Sequence, residues 1–144
     1  MSHSGLMSIA GLQRRIRSHE TSTEEYVSKC IENIQNPSGE GVRAFLKVSE
    51  AEALAVAKTQ DVLLEKGLQL GPLAGVTVSI KDLFDIAGQV TTSGSKVLRS
   101  KDPATEDSDV VARIRRADGI IVGRTNMTEF AYSGLGLNPH FGTP

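Results

Sequence analysis

Residues 71–82 read Gly71-Pro72-Leu73-Ala74-Gly75-Val76-Thr77-Val78-Ser79-Ile80-Lys81-Asp82. Gly71-Pro72 breaks the preceding element, and from Gly75 onward apolar and polar residues alternate strictly, the period-two pattern of a β-strand. Val76, Val78 and Ile80 point one way, while Thr77, Ser79 and Lys81 point the other. The lysine therefore ends a strand on the face opposite an apolar stripe. Strand ends are where α/β proteins tend to hold reactive groups. A lysine works as a base only when burial or neighbouring positive charge destabilises its ammonium. Taken alone, Ile80-Lys81-Asp82 describes a surface lysine balanced by the next carboxylate, because most lysines are exposed.

Downstream, Thr91-Thr92-Ser93-Gly94-Ser95 forms a loop rich in turn residues. Asp107, Ser108 and Asp109 open a helix whose far end carries Arg113, Arg115 and Arg116, charges that suit the helix dipole at both ends. Asp107 and Asp109 read as helix-start residues before they read as ligands. Gly119 closes that helix, Ile120-Ile121-Val122 is a short buried strand, and residues 127–132 form a helical turn. Strand, helix, strand in that order predicts an α/β layer architecture.

Upstream, residues 1–70 read as mainly helical. Leu6, Ile9, Leu12 and Ile16 recur at helical spacing up to Arg17. Ser22 with Glu25 matches a capping box for a helix that stops at Asn36-Pro37. Residues 39–41 form a loop, residues 42–48 an extended segment around Phe45. Ser49 with Glu52 opens a further helix that runs to about Lys66 and ends at Gly67. With 39% hydrophobic and 23% charged residues the composition is that of a globular protein. Sixteen Lys and Arg against seventeen Asp and Glu leave no field to draw in nucleic acid or a membrane surface. The single Cys30 excludes an internal disulfide, so a reducing compartment, the cytoplasm, is expected, and the N-terminus lacks the pattern of a secretory signal. His3, His19, His140 and Cys30 are too scattered to suggest a metal site. No phosphate loop or dinucleotide fingerprint appears, and no cofactor is expected.

The stretch from Gly71 to Asp82 resembles the lysine-bearing strand of the amidase-signature family. The likeness continues through residues 91–95, through Ala117-Asp118-Gly119-Ile120-Ile121-Val122-Gly123-Arg124-Thr125-Asn126-Met127-Thr128-Glu129-Phe130, and through Gly134-Leu135-Gly136-Leu137-Asn138-Pro139-His140-Phe141-Gly142-Thr143-Pro144. Separated blocks in the right order are far more specific than any one of them. The resemblance implies the N-terminal portion of a single α/β/α domain with a mixed central sheet, spanning residues 1–144. It implies a Ser-cisSer-Lys hydrolase: a neutral lysine takes a proton from a bridging serine, which activates a nucleophilic serine to form an acyl-enzyme, with backbone N–H groups holding the oxyanion. Lys81 carries over as that base.

Neither serine carries over. The resemblance puts the family's Gly-Gly-Ser-Ser-Gly-Gly stretch after a segment such as Asn138 to Pro144, and Ser93, Ser95 and Ser133 do not occupy the matching positions. Met127 and Tyr132 carry over as candidate walls of the substrate pocket, although apolar residues at such spacing are usually core. Glu129 either pairs with a nearby base or is solvated, and a lone His140 carries little weight. Two activities share this chemistry: a stand-alone amidase acting on a small carboxamide or aryl amide, and the glutaminase subunit of a tRNA-dependent amidotransferase. The glutaminase subunit carries a more polar segment where this chain has residues 134–140, which favours the stand-alone enzyme. A third reading is a catalytically dead truncated chain. Expected partners are a small amide, the remainder of the same polypeptide and a possible second copy.

Overall fold

The structure, a computed structural model, describes residues 7–143. Leu6, the first apolar residue of the expected opening helix, lies outside the described residues. That helix, α1, spans Ile9–Arg17, and Ser8 caps it by accepting the Gly11 N–H. Leu12 and Ile16 form its buried stripe. Helix α2 spans Thr23–Gln35, with the Ser22 hydroxyl accepting the Glu25 N–H as the capping-box reading requires. A second cap comes from far away in sequence: the Asp61 carboxylate accepts the N–H groups of Thr23 and Glu24.

The region expected to be loop and then extended begins with one helical turn, α3, Gly41–Ala44, before strand β1, Phe45–Val48. Helix α4 spans Glu50–Glu65, and Gly67 follows it in the left-handed conformation. Ser49 stands at its N-cap position but its hydroxyl makes no capping bond. Its N–H donates instead to Val122 O at 2.9 Å, so the sheet rather than the hydroxyl fixes this helix start. Strand β2 is Thr77–Lys81, helix α5 is Asp109–Arg116 and strand β3 is Ile120–Thr125.

The three strands form a mixed sheet in the order β1-β3-β2, with β1 antiparallel and β2 parallel to β3. β2, α5 and β3 are a βαβ unit, the arrangement a parallel pair requires. β3 is buried on both faces. Ile120 and Val122 pack with Val27 and Ile31 of α2 and with Ala53 and Ala57 of α4. Ile121 faces the opposite side with Ile80, Ile86 and Val111. Helices thus cover both faces, as an α/β layer fold demands, and each such buried aliphatic side chain contributes about 1.5–3 kcal/mol.

β3 runs three residues past the expected Ile120-Ile121-Val122. Gly123 permits this, because a Cβ there would stand 2.3 Å from the Lys47 carbonyl of β1. Buried Gln60 sets the near end of the sheet. It accepts the Gly75 N–H at 2.8 Å and donates to Asp118 O at 2.7 Å, aligning the entries to β2 and β3. Gln13 of α1 donates to Pro72 O and Ala74 O and braces the approach to β2.

Candidate active site

Lys81 is the last residue of β2 and lies opposite Thr125 of β3. The chain turns at once: Lys81 O accepts the Phe84 N–H at 3.1 Å, and the Asp82 N–H donates to Thr125 O at 3.1 Å. The lysine is exposed and its neighbour is not. Asp82 is fully buried and does not balance Lys81 at the surface, as the tripeptide alone suggested. It pairs with buried Arg124, whose Nη1 donates to Asp82 Oδ1 at 3.0 Å and to Phe84 O at 3.0 Å.

The same carboxylate organises the loop expected at residues 91–95. It accepts the Thr92 N–H at 3.2 Å, the Gly94 N–H at 3.1 Å and the Thr92 hydroxyl. One buried anion therefore ties the end of the lysine strand, strand β3 and the Thr/Ser/Gly loop together. Ser93 and Gly94 both have positive φ, 50° and 68°. Only glycine fits at 94, where a Cβ would stand 2.7 Å from Met127 O. This loop is more than an ordinary turn, since its backbone is held from three directions.

The third direction is residues 126–141. Asn138, 2% exposed, donates to Gly94 O and Met127 O and accepts the N–H groups of His140 and Phe141. Ser95, fully buried, donates its hydroxyl to Glu129 Oε1 at 2.6 Å, and His140 Nε2 lies 3.2 Å from the same oxygen. Glu129 thus has the nearby base that the sequence left open, and His140 has a partner. The Ser95 hydroxyl bond holds the Glu129 carboxyl below its ordinary value, partial burial opposes this, and the charge of His140 adds to the lowering. The carboxylate sits between serine and histidine, so this row does not activate Ser95 as a nucleophile, which would need the base beside the hydroxyl.

Met127 is buried, at 4% exposure. Tyr132 is 94% exposed. The expected helical turn over residues 127–132 is only a 3₁₀ turn at Glu129–Ala131, broken by Phe130 at φ 52°. A cavity of about 490 Å³ lies between α1 and the end of α4, lined in part by Ile16, Arg17, Leu64 and Leu70. Lys81 does not border it. Among the described residues no cluster of three or more His, Cys, Asp or Glu is placed to hold a metal, and no helix is long and apolar enough to cross a membrane.

Sequence reading misses the Asp82–Arg124 pair. The available signal is an arginine following Ile120-Ile121-Val122-Gly123: a charge within an apolar strand requires a buried partner of opposite sign. The Asn138 hub carries no such signal, because its partners are backbone groups of loops.

A lysine closing an edge strand of a mixed sheet, beside a Thr/Ser/Gly loop clamped by a buried carboxylate, defines an α/β protein with a candidate site at one strand end. The Amidase family profile matches residues 25–144, and the chain belongs to that family, of which it matches an N-terminal portion. It is 34% identical over 143 residues to the 2-amino-5-chloromuconic acid deaminase of Comamonas testosteroni, covering 96% of this chain and 29% of the relative. It is 41% identical over 133 residues to a glutamyl-tRNA(Gln) amidotransferase subunit of Acidothermus cellulolyticus, covering 91% and 26%. Among solved structures, a chain from the vestigial protein complex that revealed the origins of an s-triazine catabolic enzyme superposes with a TM-score of 0.88 at 34% identity, covering 94% of this chain and 30% of that one. The peptide amidase of Stenotrophomonas maltophilia superposes at 0.82 with 26% identity, covering 98% and 30%. The chain spans under a third of the length of these relatives.

Proposed function

We propose that this chain supplies the lysine-bearing part of an amidase that hydrolyses a carboxamide C–N bond through a serine acyl-enzyme, with Lys81 as the general base. The observation that carries the reading is the fixed setting of Lys81. The next residue, Asp82, is anchored to Arg124 and to the Thr92–Gly94 backbone, so the end of β2 cannot drift relative to the loop. Pre-set geometry of this kind is what proton transfer in a transition state needs. In the assembled enzyme Lys81 takes the proton of a bridging serine, that serine takes the proton of the nucleophile, and the nucleophile attacks the amide carbon. The amine leaves with a proton returned along the same path, and water then releases the acid. Both serines belong to a part of the enzyme outside these 144 residues. Met127 and Tyr132 remain the proposed walls for the acyl group, and the cytoplasm the proposed compartment.

A second reading is the glutaminase subunit of a tRNA-dependent amidotransferase. It is favoured by the higher identity to such subunits, 41% against 34% for the deaminase. Native mass spectrometry separates the two, because the second reading requires co-purifying partner subunits. The chemistry common to both is tested by Lys81→Ala in the enzyme assembled with its serine-bearing part. Acyl-enzyme formation and labelling by a fluorophosphonate are expected to vanish, and Lys81→Arg is expected not to restore them, because a guanidinium does not deprotonate near neutral pH. Normal labelling of Lys81→Ala would remove Lys81 from the mechanism.

A further inference from the structure

Lys81 has an acidic neighbour in the chain but no ion-pair partner in space. Among the described residues no carboxylate pairs with its ammonium, although Asp82 is the next residue. The alternation that leaves Lys81 exposed turns Asp82 inward, where it is fully buried against Arg124. The pair is closed. Among the described residues each is the other's only ionic partner, and the buried Nε and Nη2 of Arg124 have no hydrogen-bond partner. Besides the guanidinium, the carboxylate accepts the Thr92 N–H, the Gly94 N–H and the Thr92 hydroxyl, and donors of this kind favour the ionised form. A guanidinium does not deprotonate. Two opposite charges therefore stand side by side at the end of β2.

Their cancellation matters to a base. Lysine accepts a proton only as the neutral amine, and an uncompensated carboxylate beside it favours the ammonium. Asp82 is one peptide bond from Lys81, and Arg124 is one residue from Thr125, the register partner of Lys81. The other ionisable groups around the strand end are further off or engaged. Residues 91–95 carry none, and Asp85 of the turn is exposed. Lys47 of β1 lies across β3, opposite Arg124. Arg43 of α3 pairs with Glu40, and Glu129 is bonded to Ser95 and His140. From α2, Cys30 meets the far end of β2 at Thr77.

We propose that Arg124 is a positioning residue for the base of amide hydrolysis: it draws the Asp82 carboxylate away from Lys81 and cancels its charge, so that Lys81 works as the neutral amine. This role presupposes the amidase reading above. It is separable from the anchoring of β2, because charge and shape can be removed independently.

The test is the pH dependence of fluorophosphonate labelling, followed as a second-order rate in the enzyme assembled with its serine-bearing part. On the acid limb of that profile the base gains its proton and labelling ceases. Arg124→Met leaves the carboxylate uncompensated, and the limb is expected to move up by about one pH unit. Asp82→Asn leaves the guanidinium uncompensated, and the limb is expected to move down by a similar amount. The double variant removes both charges and is expected to bring the limb back towards its parental position. Arg124→Lys keeps the charge and loses the planar fork, so the limb is expected to stay in place while the urea midpoint falls. A pair that served structure alone would slow labelling without displacing the limb in opposite directions. Limbs that stay in place, or move the same way in both single variants, overturn the proposal. If Arg124→Met does not fold, Asp82→Asn and Arg124→Lys decide: a limb lowered by the first and unmoved by the second upholds it, and any other pattern overturns it. Normal labelling of Lys81→Ala removes the amidase reading and this role with it, whereas an unlabelled Lys81→Ala with unmoved limbs removes this role alone.

Discussion

At the scale of single residues, Asp82 matters to the fold as Lys81 does to the proposed chemistry. It is fully buried with Arg124 at 4% exposure, and its two oxygens serve strand, turn and loop. Removing one partner of such a pair leaves the other charge buried and uncompensated. Asp82→Ala is therefore expected to destabilise the chain by about 3–5 kcal/mol, read from the midpoint of urea unfolding. Lys81→Ala, at an exposed position, is expected to shift that midpoint by less than about 0.5 kcal/mol. Equal shifts would mean that the carboxylate is no anchor. Glu129 gives a pH-dependent counterpart. Its carboxyl is held below the ordinary 4.5, first by the Ser95 hydroxyl and also by His140. Because the folded value is the lower one, the stabilisation is fully present above the unfolded value and is lost as pH falls through the folded value. Glu129→Gln is expected to flatten the acid limb of stability below pH 4.5 and leave the neutral region nearly unchanged, measured by urea midpoints across that range. An identical acid limb in the variant would show that the row Ser95, Glu129, His140 does not form. Of these residues only Lys81 stands out in the sequence, because a strand end is a local pattern. Asp82 and Arg124 are 42 positions apart, so the arginine in an apolar strand signals a buried partner without saying which carboxylate it is.

Secondary elements are legible where the cause is local. Ser22 with Glu25 and the break at Asn36-Pro37 bound α2 as read, and the alternation of β2 gives both its extent and its buried side. Legibility fails where a distant group decides the outcome. The hydroxyl of Ser49 makes no cap because its backbone is tied to Val122, and α2 gains its second cap from Asp61 of α4. Strand β3 reads short in the sequence because Gly123 and Arg124 look unlike strand residues, yet the glycine is required by close approach to β1. Gly123→Ala would drive a methyl group against the Lys47 carbonyl and push β1 off the sheet. It is expected to cost more than about 2 kcal/mol in urea unfolding, as overpacking against rigid backbone does. Ser22→Ala is expected to cost about 1 kcal/mol or less, since Asp61 continues to serve Thr23 and Glu24. If the two substitutions cost the same, the close approach of β1 and β3 is not what limits position 123.

For the molecule as a whole, the layers are complete on the inside and open at the rim. Both faces of β3 are covered, and the two core clusters account for its apolar residues. The edge of β2 and the side chains of Phe130, Tyr132, Leu135 and Leu137 have no such cover among the described residues. An unpaired strand edge together with exposed apolar side chains favours association between like chains. The isolated chain is therefore expected to be poorly soluble, with light scattering that rises with concentration, and Tyr132→Asp with Leu135→Asp is expected to reduce that scattering. Amidase turnover by the isolated chain is expected to be absent. In the proposed mechanism Lys81 takes the proton of a bridging serine and never bonds to carbon, so alone it has nothing to activate. Assay of the purified chain against a chromogenic aryl amide checks this directly. Turnover that survives purification and disappears in Lys81→Ala would show that a nucleophile lies within these 144 residues, and the division of labour between lysine and serine would have to be redrawn.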